Sequence, residues 1–168
     1  MGKARPERPR ITVRKGRASD RPHILRWMRQ LAEETGAGRI GEGEAEGVDL
    51  GGLFIANVGG KPAGFIQLRG TPEGFTYPGG SVTGHPIELA YTDPAHREGG
   101  VFTALDARLE KHARRHPGVE RLISWPTHPH VVKARREGGW TELRAPRFRR
   151  RKGKVECLEE GLFVMDVR

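Results

Sequence analysis

Two neighbouring glycines lie between a predicted strand and a predicted helix. The strand runs from Ile87 to Thr92, the glycines are Gly99 and Gly100, and helical spacing of apolar residues starts at Val101. The first amides of a helix have no partner within the helix and lie at the positive end of its dipole. Glycines allow an anion to approach such amides, because no side chain holds it away. The segment is therefore predicted to bind a pyrophosphate, and the alternative is an ordinary strand-to-helix turn.

Two histidines, His128 and His130, flank Pro129 at the predicted start of a short helix. No Asp, Glu or Cys lies nearby in the sequence to complete a set of metal ligands, so we expect no metal site. Acid–base chemistry or substrate contact is the preferred interpretation, and a plain helix-start loop is the alternative. Cys157 is the only cysteine, which excludes a disulfide framework and a zinc site built chiefly of thiolates.

Positive charge is concentrated towards the two ends of the chain. The formal net charge is +9, divided as +8 over residues 1–29, −6 over residues 30–96 and +7 over residues 97–168. The densest cationic run lies between Arg147 and Lys154, at the tip of a predicted hairpin. Such runs attract polyanions, and Phe148 is placed to stack on a base. DNA or RNA contact is therefore predicted, with solvated surface charge as the alternative. The cations assigned to this contact are Arg147, Arg149, Arg150, Arg151 and Lys152.

The length of 168 residues suits one domain, and apolar residues cluster into definite segments. No apolar stretch approaches the roughly 18 residues that a membrane span needs. The basic N-terminus leads into no apolar region, so a signal peptide is not expected. We therefore expect a cytoplasmic protein without membrane contact, as a monomer or homodimer. Residues 1–10 are predicted to form a flexible basic tail.

Apolar periodicity predicts the element order β-α-(α)-β-β-β-α-β-α-β-β. Residues 36–52 are predicted to be a loop or a short weak helix, and residues 70–84 a long loop, because both are rich in glycine. The final two strands are placed at residues 140–148 and 161–167, separated by a basic turn. The remaining predicted elements are strands at 11–14, 53–58, 61–68, 87–92 and 119–125, and helices at 20–34, 101–116 and 129–137.

This ordered set of motifs resembles the GCN5-related N-acetyltransferase (GNAT) superfamily. The cofactor motif of that family, Arg/Gln-x-x-Gly-x-Gly/Ala, is matched here by Arg97-Glu98-Gly99-Gly100-Val101-Phe102. The likeness runs from Ile11 to about Val167 and includes the hairpin at 53–65 and the segment at 138–143. It implies a single α/β (α+β) domain over residues 11–168. The expected sheet is mixed and mostly antiparallel, with six to seven strands and helices on both faces.

The resemblance implies that acetyl-CoA is the acyl donor. Main-chain amides from Arg97 to Phe102 would hold the pyrophosphate, and Arg97 is also a candidate for the 3′-phosphate. The backbone of residues 90–92 would pair with the pantetheine arm like an extra strand. The cofactor-binding set implied in this way is Ala90, Tyr91, Thr92, Arg97, Glu98, Gly99, Gly100, Val101 and Phe102.

The resemblance also implies direct attack of an amine on the thioester, with no covalent enzyme intermediate. Glu88 is the first candidate for the base, and Tyr91 is a candidate acid or positioning hydroxyl, with a packing aromatic as its alternative. His128 and His130 would lie where the cleft opens. Many relatives carry a catalytic Tyr in the short helix, but that position is Arg135 here, and arginine is not a general acid near neutral pH. Phe102 also departs from the Gly or Ala that is commonest in the family.

The acceptor amine is left open by the sequence. A small amine would need an acidic pocket, for which residues 42–49 or Glu73 are candidates. An amine on a modified DNA base or on RNA would instead explain the basic terminal thirds. The alternative from a different class is a non-catalytic, GNAT-derived module that binds nucleic acid.

Overall fold

The computed structural model of the protein describes residues 7–35 and 48–168. Residues 1–6 of the predicted tail, and residues 36–47 of the predicted loop or weak helix, lie outside the described residues. The helices are α1 Arg21–Thr35, α2 Val101–Arg115 and α3 Pro129–Glu137. The strands are β1 Ile11–Lys15, β2 Leu53–Val58, β3 Lys61–Leu68, β4 Glu73–Tyr77, β5 Gly80–Thr92, β6 Arg121–Ser124, β7 Thr141–Arg144, β8 Arg147–Arg151, β9 Lys154–Glu159 and β10 Leu162–Asp166.

The chain forms two compact units, to which β3, β5 and α2 each contribute parts. Unit 1 comprises the chain up to Gln67 together with Leu89–Leu109. It contains β1, β2 and most of β3, and also the end of β5. β2 pairs antiparallel with both β1 and β3, and the Gly59-Gly60 turn joins β2 to β3 as the sequence predicts.

The core of unit 1 is built on one face of α1. Ile24, Trp27 and Met28 recur with helical spacing and are buried. They pack against strand residues that include Ile55 and Phe65. The rings of Trp27 and Phe65 stack with centroids 5.8 Å apart. This stripe fixes α1 on the sheet, as its apolar periodicity predicts.

A buried carboxylate organises the start of α1. Asp20 lies in a short 3-10 turn and accepts two hydrogen bonds of 2.7 Å from the Arg14 guanidinium. It also accepts a bond of 2.8 Å from the amide of Arg17. The Arg14 hydrogen bonds and that amide together hold the pKa of Asp20 below its ordinary value, although burial acts the other way. Asp20 thereby ties the beginning of the helix to β1.

Unit 2 comprises Leu68–Glu88 and Glu110–Arg168. Its sheet contains β4, the first part of β5, β6, β10 and β7. β5 and β6 run parallel and pair at His85–Leu122 and Pro86–Ile123, whereas β10 is antiparallel to both β6 and β7. The register between β5 and β6 ends at Pro86, two residues before Glu88.

The prediction of a long loop over residues 70–84 is wrong. β4 and β5 form an antiparallel hairpin there, and β5 begins at Gly80 rather than Ile87. Phe75 and Tyr77 alternate with smaller residues and pack on a core that includes Val82 and Ile123. Abundant Gly and Pro usually indicate a loop. An edge strand tolerates both residue types, however, so the composition of this segment was misleading.

The predicted division of the C-terminal region is also wrong in part. A single strand was expected over residues 140–148, but β7 ends at Arg144, and β8 and β9 form a separate two-stranded ribbon. The basic run therefore lies mostly in a strand, and only Lys152 and Gly153 form its turn. Both turn residues have positive φ, at 50° and 75°, as a tight hairpin turn of the primed type requires.

The fold is a mixed α/β arrangement with mostly antiparallel strands, which confirms the predicted class. Eight strands build the sheets of the described residues, besides the β8–β9 ribbon, because β4 adds to the number expected. The boundary between a tail and a domain at residue 11 stays a prediction. In the described part of the chain, no helix has the length and apolar character needed to cross a membrane.

Candidate functional site

The segment between β5 and α2, residues 93–102, is here called the phosphate loop. It begins at Asp93, whose side chain accepts hydrogen bonds from the Ala95 amide at 3.1 Å and from Trp27 Nε1 at 3.2 Å. Burial raises the pKa of Asp93, but these two donors and nearby Arg26 outweigh burial and leave the pKa below its ordinary value. The charged carboxylate thus anchors the loop to α1 within unit 1.

The middle of the phosphate loop has an unusual backbone. φ is 64° at Glu98 and 89° at Gly100, while Gly99 between them has negative φ. Alternation of this kind turns successive amides towards the same side, as in backbone sites that bind anions. Residues 97–100 form hydrogen-bonded turns, but among the described residues the amides of residues 98–101 donate no backbone hydrogen bond of good geometry. Residues 97–100 are also exposed, so the loop is open to solvent.

The first turn of α2 follows these amides directly. Val101 is 2% exposed and anchors the helix in unit 1. Behind the loop, Gly64 of β3 approaches the end of β5 closely. A Cβ atom at Gly64 would lie 2.6 Å from the Tyr91 carbonyl oxygen and 3.2 Å from the Thr92 Cα. Because Gly64 has no side chain, β3 can pack closely against the end of β5, which leads into the phosphate loop.

Arg97, at the start of the cofactor motif, is held by three neighbours in unit 1. Its Nη2 donates to both carboxylate oxygens of Glu34, at 2.9 Å each. Its Nε donates to the Thr92 carbonyl at 3.1 Å, and the guanidinium lies 5.2 Å from the centroid of the Tyr91 ring. Both partners of the ion pair are part-exposed, at 43% for Arg97 and 40% for Glu34.

Tyr91 occupies the position predicted for an acid or a positioning hydroxyl. Its side chain belongs to the core of unit 1, and its hydroxyl donates to Glu34 at 2.7 Å. Burial, followed by the hydrogen bond to Glu34, raises the pKa of Tyr91 well above its ordinary value. This environment favours the alternative interpretation of Tyr91 as a packing aromatic. The roles predicted for Ala90 and Thr92 towards pantetheine stay predictions.

Glu88, the candidate base, lies in unit 2. Its carboxylate forms an ion pair with Arg69, which also pairs with Glu73. The side chain of Glu88 is 32% exposed, so it is neither buried nor freely solvated. No sequence motif identifies Arg69, whose only signal is a cation within a stretch of net negative charge.

His128 and His130 lie at the start of α3, and both are exposed. Their rings stack with centroids 5.0 Å apart, and His128 Nδ1 accepts a hydrogen bond of 3.3 Å from the His130 amide. His128 is therefore the N-cap of α3, which agrees with the helix-start alternative. Among the described residues, no group of three His, Cys, Asp or Glu is placed to hold a metal ion.

Arg135 replaces the tyrosine expected in α3, and it is buried in unit 2 with 1% exposure. Its Nε donates to Ser124 Oγ at 3.0 Å, and its guanidinium lies 4.3 Å from the Trp140 ring centroid. These contacts give Arg135 a structural role between α3 and β6. Phe102, the other departure from the family motif, is half-buried in the first turn of α2.

The β8–β9 ribbon presents the predicted nucleic-acid contacts. Arg149 pairs with Glu156 and Arg147 with Glu159, so two of the five cations are partly neutralised. Arg150, Arg151, Lys152 and Lys154 have no ion-pair partner within the described residues, and we name these four residues the ribbon tip. The same ribbon carries Val155 and Leu158, which are 44% and 48% exposed.

Several solved structures share this fold at low sequence identity. An N-acetyltransferase from Staphylococcus aureus aligns with a TM-score of 0.70 and 15% identity, covering 95% of this chain and 99% of that one. YncA from Salmonella typhimurium, solved with its cofactor acetyl-CoA, gives 0.67 and 15%, with 94% of each chain covered. The ribosomal-protein-S18-alanine N-acetyltransferase from Escherichia coli gives 0.65 and 14%, also with 94% of each chain covered.

No curated protein matches the sequence. The model of the acetyltransferase (GNAT) family, in contrast, matches residues 20–136, which reach from the start of α1 through the phosphate loop to α3. The match covers more than half of the chain and includes the glycine turn. The chain therefore belongs to the acetyltransferase (GNAT) family.

Proposed function

We propose that this acetyltransferase transfers the acetyl group of acetyl-CoA to an amine carried on a nucleic acid, by direct attack in a ternary complex. The family supplies the acyl donor, acetyl-CoA. The single observation that carries the choice of acceptor is the ribbon tip, whose four cations have no ion-pair partner among the described residues.

The phosphate loop fits the donor end of this reaction. A diphosphate is bound by several converging N–H donors, and side chains between these donors would hold it away. The amides of residues 98–101, which make no main-chain hydrogen bond of good geometry, supply such donors, and Gly99 and Gly100 carry no side chain that would block the approach. Arg97 adds a cation at the start of the loop. These features support binding of the CoA phosphates here.

The transfer itself requires one C–N bond to form and one C–S bond to break. The attacking amine loses a proton to a base, and the departing thiolate of CoA gains one. Glu88 is the proposed base. Its pairing with Arg69 fixes the orientation of the carboxylate, and the β5–β6 register ends just before it.

Glu88→Gln removes the proton acceptor but preserves shape. We expect kcat to fall about 100-fold, in line with general-base catalysis, while KM for acetyl-CoA is unchanged. Steady-state kinetics over a range of pH measures both quantities. Glu120→Gln, at another acidic position of unit 2, is the control. An unchanged kcat in Glu88→Gln would remove Glu88 from the mechanism.

The ribbon tip favours a polyanionic acceptor over a small amine. Arg150 and Arg151 are adjacent in β8, and Lys154 pairs with Arg151 across the ribbon, so like charges oppose each other. Like charges opposite one another destabilise a ribbon, and a bound phosphate backbone would relieve that repulsion. Glu73, which a small cationic amine would need, is already paired with Arg69. Residues 42–47 of the other acidic candidate lie outside the described residues.

The test is nucleic-acid binding by Arg150→Gln/Arg151→Gln. Fluorescence anisotropy with single-stranded RNA, single-stranded DNA and duplex DNA at low salt compares this variant with the unmodified protein. Loss of two phosphate contacts should weaken binding at least tenfold. It should also reduce the slope of log affinity against log salt by about 1.4 for a single strand.

The matched control is Lys111→Gln/Arg115→Gln, which removes two exposed cations from α2 and leaves the ribbon unchanged. Its affinity should remain near that of the unmodified protein. Acetyl transfer from labelled acetyl-CoA to the best-bound nucleic acid then tests the acceptor. Equal losses in the two double variants, or no transfer to any nucleic acid, would contradict the proposal.

A further inference from the structure

We propose that Glu34 is a built-in competitor of the CoA phosphates for the guanidinium of Arg97, and so lowers the affinity for the donor. The observation behind this is an ion pair at the phosphate loop in which one guanidinium nitrogen contacts both carboxylate oxygens of Glu34. Arg97 Nη2 donates to both oxygens of Glu34 at 2.9 Å each, and Arg97 itself lies within the phosphate loop, just before Glu98.

The Glu34 carboxylate resembles a phosphate in what it offers to arginine. Each group presents negatively charged oxygens that accept charge-assisted hydrogen bonds from a guanidinium. Nη2 has two N–H groups, and both oxygens of Glu34 already accept from this nitrogen, so a phosphate can take it only by displacing the carboxylate. A phosphate bound at the amides of Glu98 to Val101 would therefore draw Arg97 away from Glu34.

The surroundings hold Arg97 ready for such an exchange. Its Nε bond to the Thr92 carbonyl and its contact with the Tyr91 ring do not involve Glu34, so both can persist while Nη2 changes partner. Glu34 keeps a hydrogen bond from the Tyr91 hydroxyl after the exchange. The exchange thus replaces one anion at Arg97 and leaves no buried group without a partner.

Competition of this kind affects both forms of the donor. Acetyl-CoA and the product CoA carry the same phosphates, so Glu34 weakens the binding of each by a similar factor. The cost in donor affinity is matched by easier release of CoA, a step that limits the rate of many transferases with tight cofactors. Glu34 is a positioning residue in this scheme and touches no reacting atom.

The proposal rests on the phosphate loop binding CoA and is independent of the acceptor. Calorimetry of Glu34→Gln with CoA is the central measurement, because glutamine retains an acceptor for Tyr91 but gives up the charge. Exposed ion pairs are weak, so we expect a two- to fivefold gain in affinity. KM for acetyl-CoA should fall by the same factor while kcat does not rise.

Three comparisons make the result specific. Glu33→Gln, which removes the neighbouring exposed charge, should leave CoA affinity unchanged. In an Arg97→Gln background the gain from Glu34→Gln should vanish. Dephospho-CoA identifies the competing group: a gain lost with this ligand assigns the 3′-phosphate, and a gain retained assigns the diphosphate.

Unchanged or weaker CoA binding in Glu34→Gln would overturn the competition, as would a gain that persists in the Arg97→Gln background. Either result leaves the proposed function standing, since the unmodified protein still binds CoA. Failure of the unmodified protein to bind CoA would instead remove the phosphate loop from the proposed function.

Discussion

The phosphate loop and the ribbon tip are both suited to anions, but they use different parts of the chain. The loop offers main-chain amides whose directions are set by two positive φ angles. The ribbon tip offers side-chain cations on a two-stranded hairpin. Amides at fixed positions select one phosphate geometry, whereas long cationic side chains follow any polyanion. In the proposed function, the loop therefore binds one small ligand and the ribbon tip a polymer.

Backbone strain occurs in both regions. Among the described residues, only Glu98 and Lys152 have positive φ without being glycine. Glu98 lies in the middle of the phosphate loop, and Lys152 lies in the turn of the ribbon tip. Side chains in this conformation cost about 1–2 kcal/mol, and such strain is concentrated at functional sites.

The substitution with the largest expected effect changes CoA binding at the phosphate loop and leaves the ribbon tip unchanged. Gly100→Glu places a charged side chain where a phosphate would approach, so CoA affinity should fall at least 100-fold while nucleic-acid binding is retained. Calorimetry with CoA and the shift of Tm on adding CoA measure the loss. Unchanged CoA binding would show that the amides of the loop are not the phosphate site.

The control for Gly100→Glu is Gly60→Glu in the β2–β3 turn. φ is 81° at Gly60 and 89° at Gly100, and neither position has a heavy atom within 3.4 Å of an added Cβ. Each substitution should therefore lower the free energy of unfolding by about 1–2 kcal/mol. Only Gly100→Glu should lose CoA.

Substitution of the two residues with positive φ, Glu98 and Lys152, should have smaller effects that also distinguish the phosphate loop from the ribbon tip. Glycine and asparagine adopt positive φ with less strain than glutamate and lysine. Glu98→Gly and Lys152→Asn should therefore each raise the free energy of unfolding by about 0.5 kcal/mol. Glu98→Gly retains the amide and should leave CoA affinity within twofold. Lys152→Asn removes a charge and should weaken single-stranded RNA binding about two- to threefold at low salt. Denaturation by urea and binding assays check both, and loss of CoA binding in Glu98→Gly would assign the side chain a direct role.

Much of the fold follows from local patterns. The apolar stripe of α1, the Gly59-Gly60 hairpin and the glycine stop after α3 each have a strong local signal, and each is present. The β4 strand has a weak signal, because only Phe75 and Tyr77 show its alternation within a stretch rich in glycine and proline. Its stability comes from packing on Val82 across the hairpin and on Trp125, which is distant in the sequence.

The candidate site likewise contains features that the sequence predicts and features that it does not. The glycines at positions 99 and 100 could be recognised because their residue type is itself the signal. The positive φ of Glu98 could not, since glutamate gives no indication of a left-handed backbone. The pairing of Arg97 with Glu34 joins residues 63 positions apart and depends on how α1 packs in unit 1. Ion pairs of this kind are determined by tertiary structure.

The hydrogen bond from Trp27 to Asp93 provides an optical reporter. The indole of Trp27 is fully buried, stacked on Phe65 and joined through Nε1 to the residue that begins the phosphate loop. The emission of an indole depends on its local field and on its hydrogen-bond partners. A protein with phenylalanine at positions 125 and 140 would therefore report movements of the loop through a single fluorophore, without any attached dye.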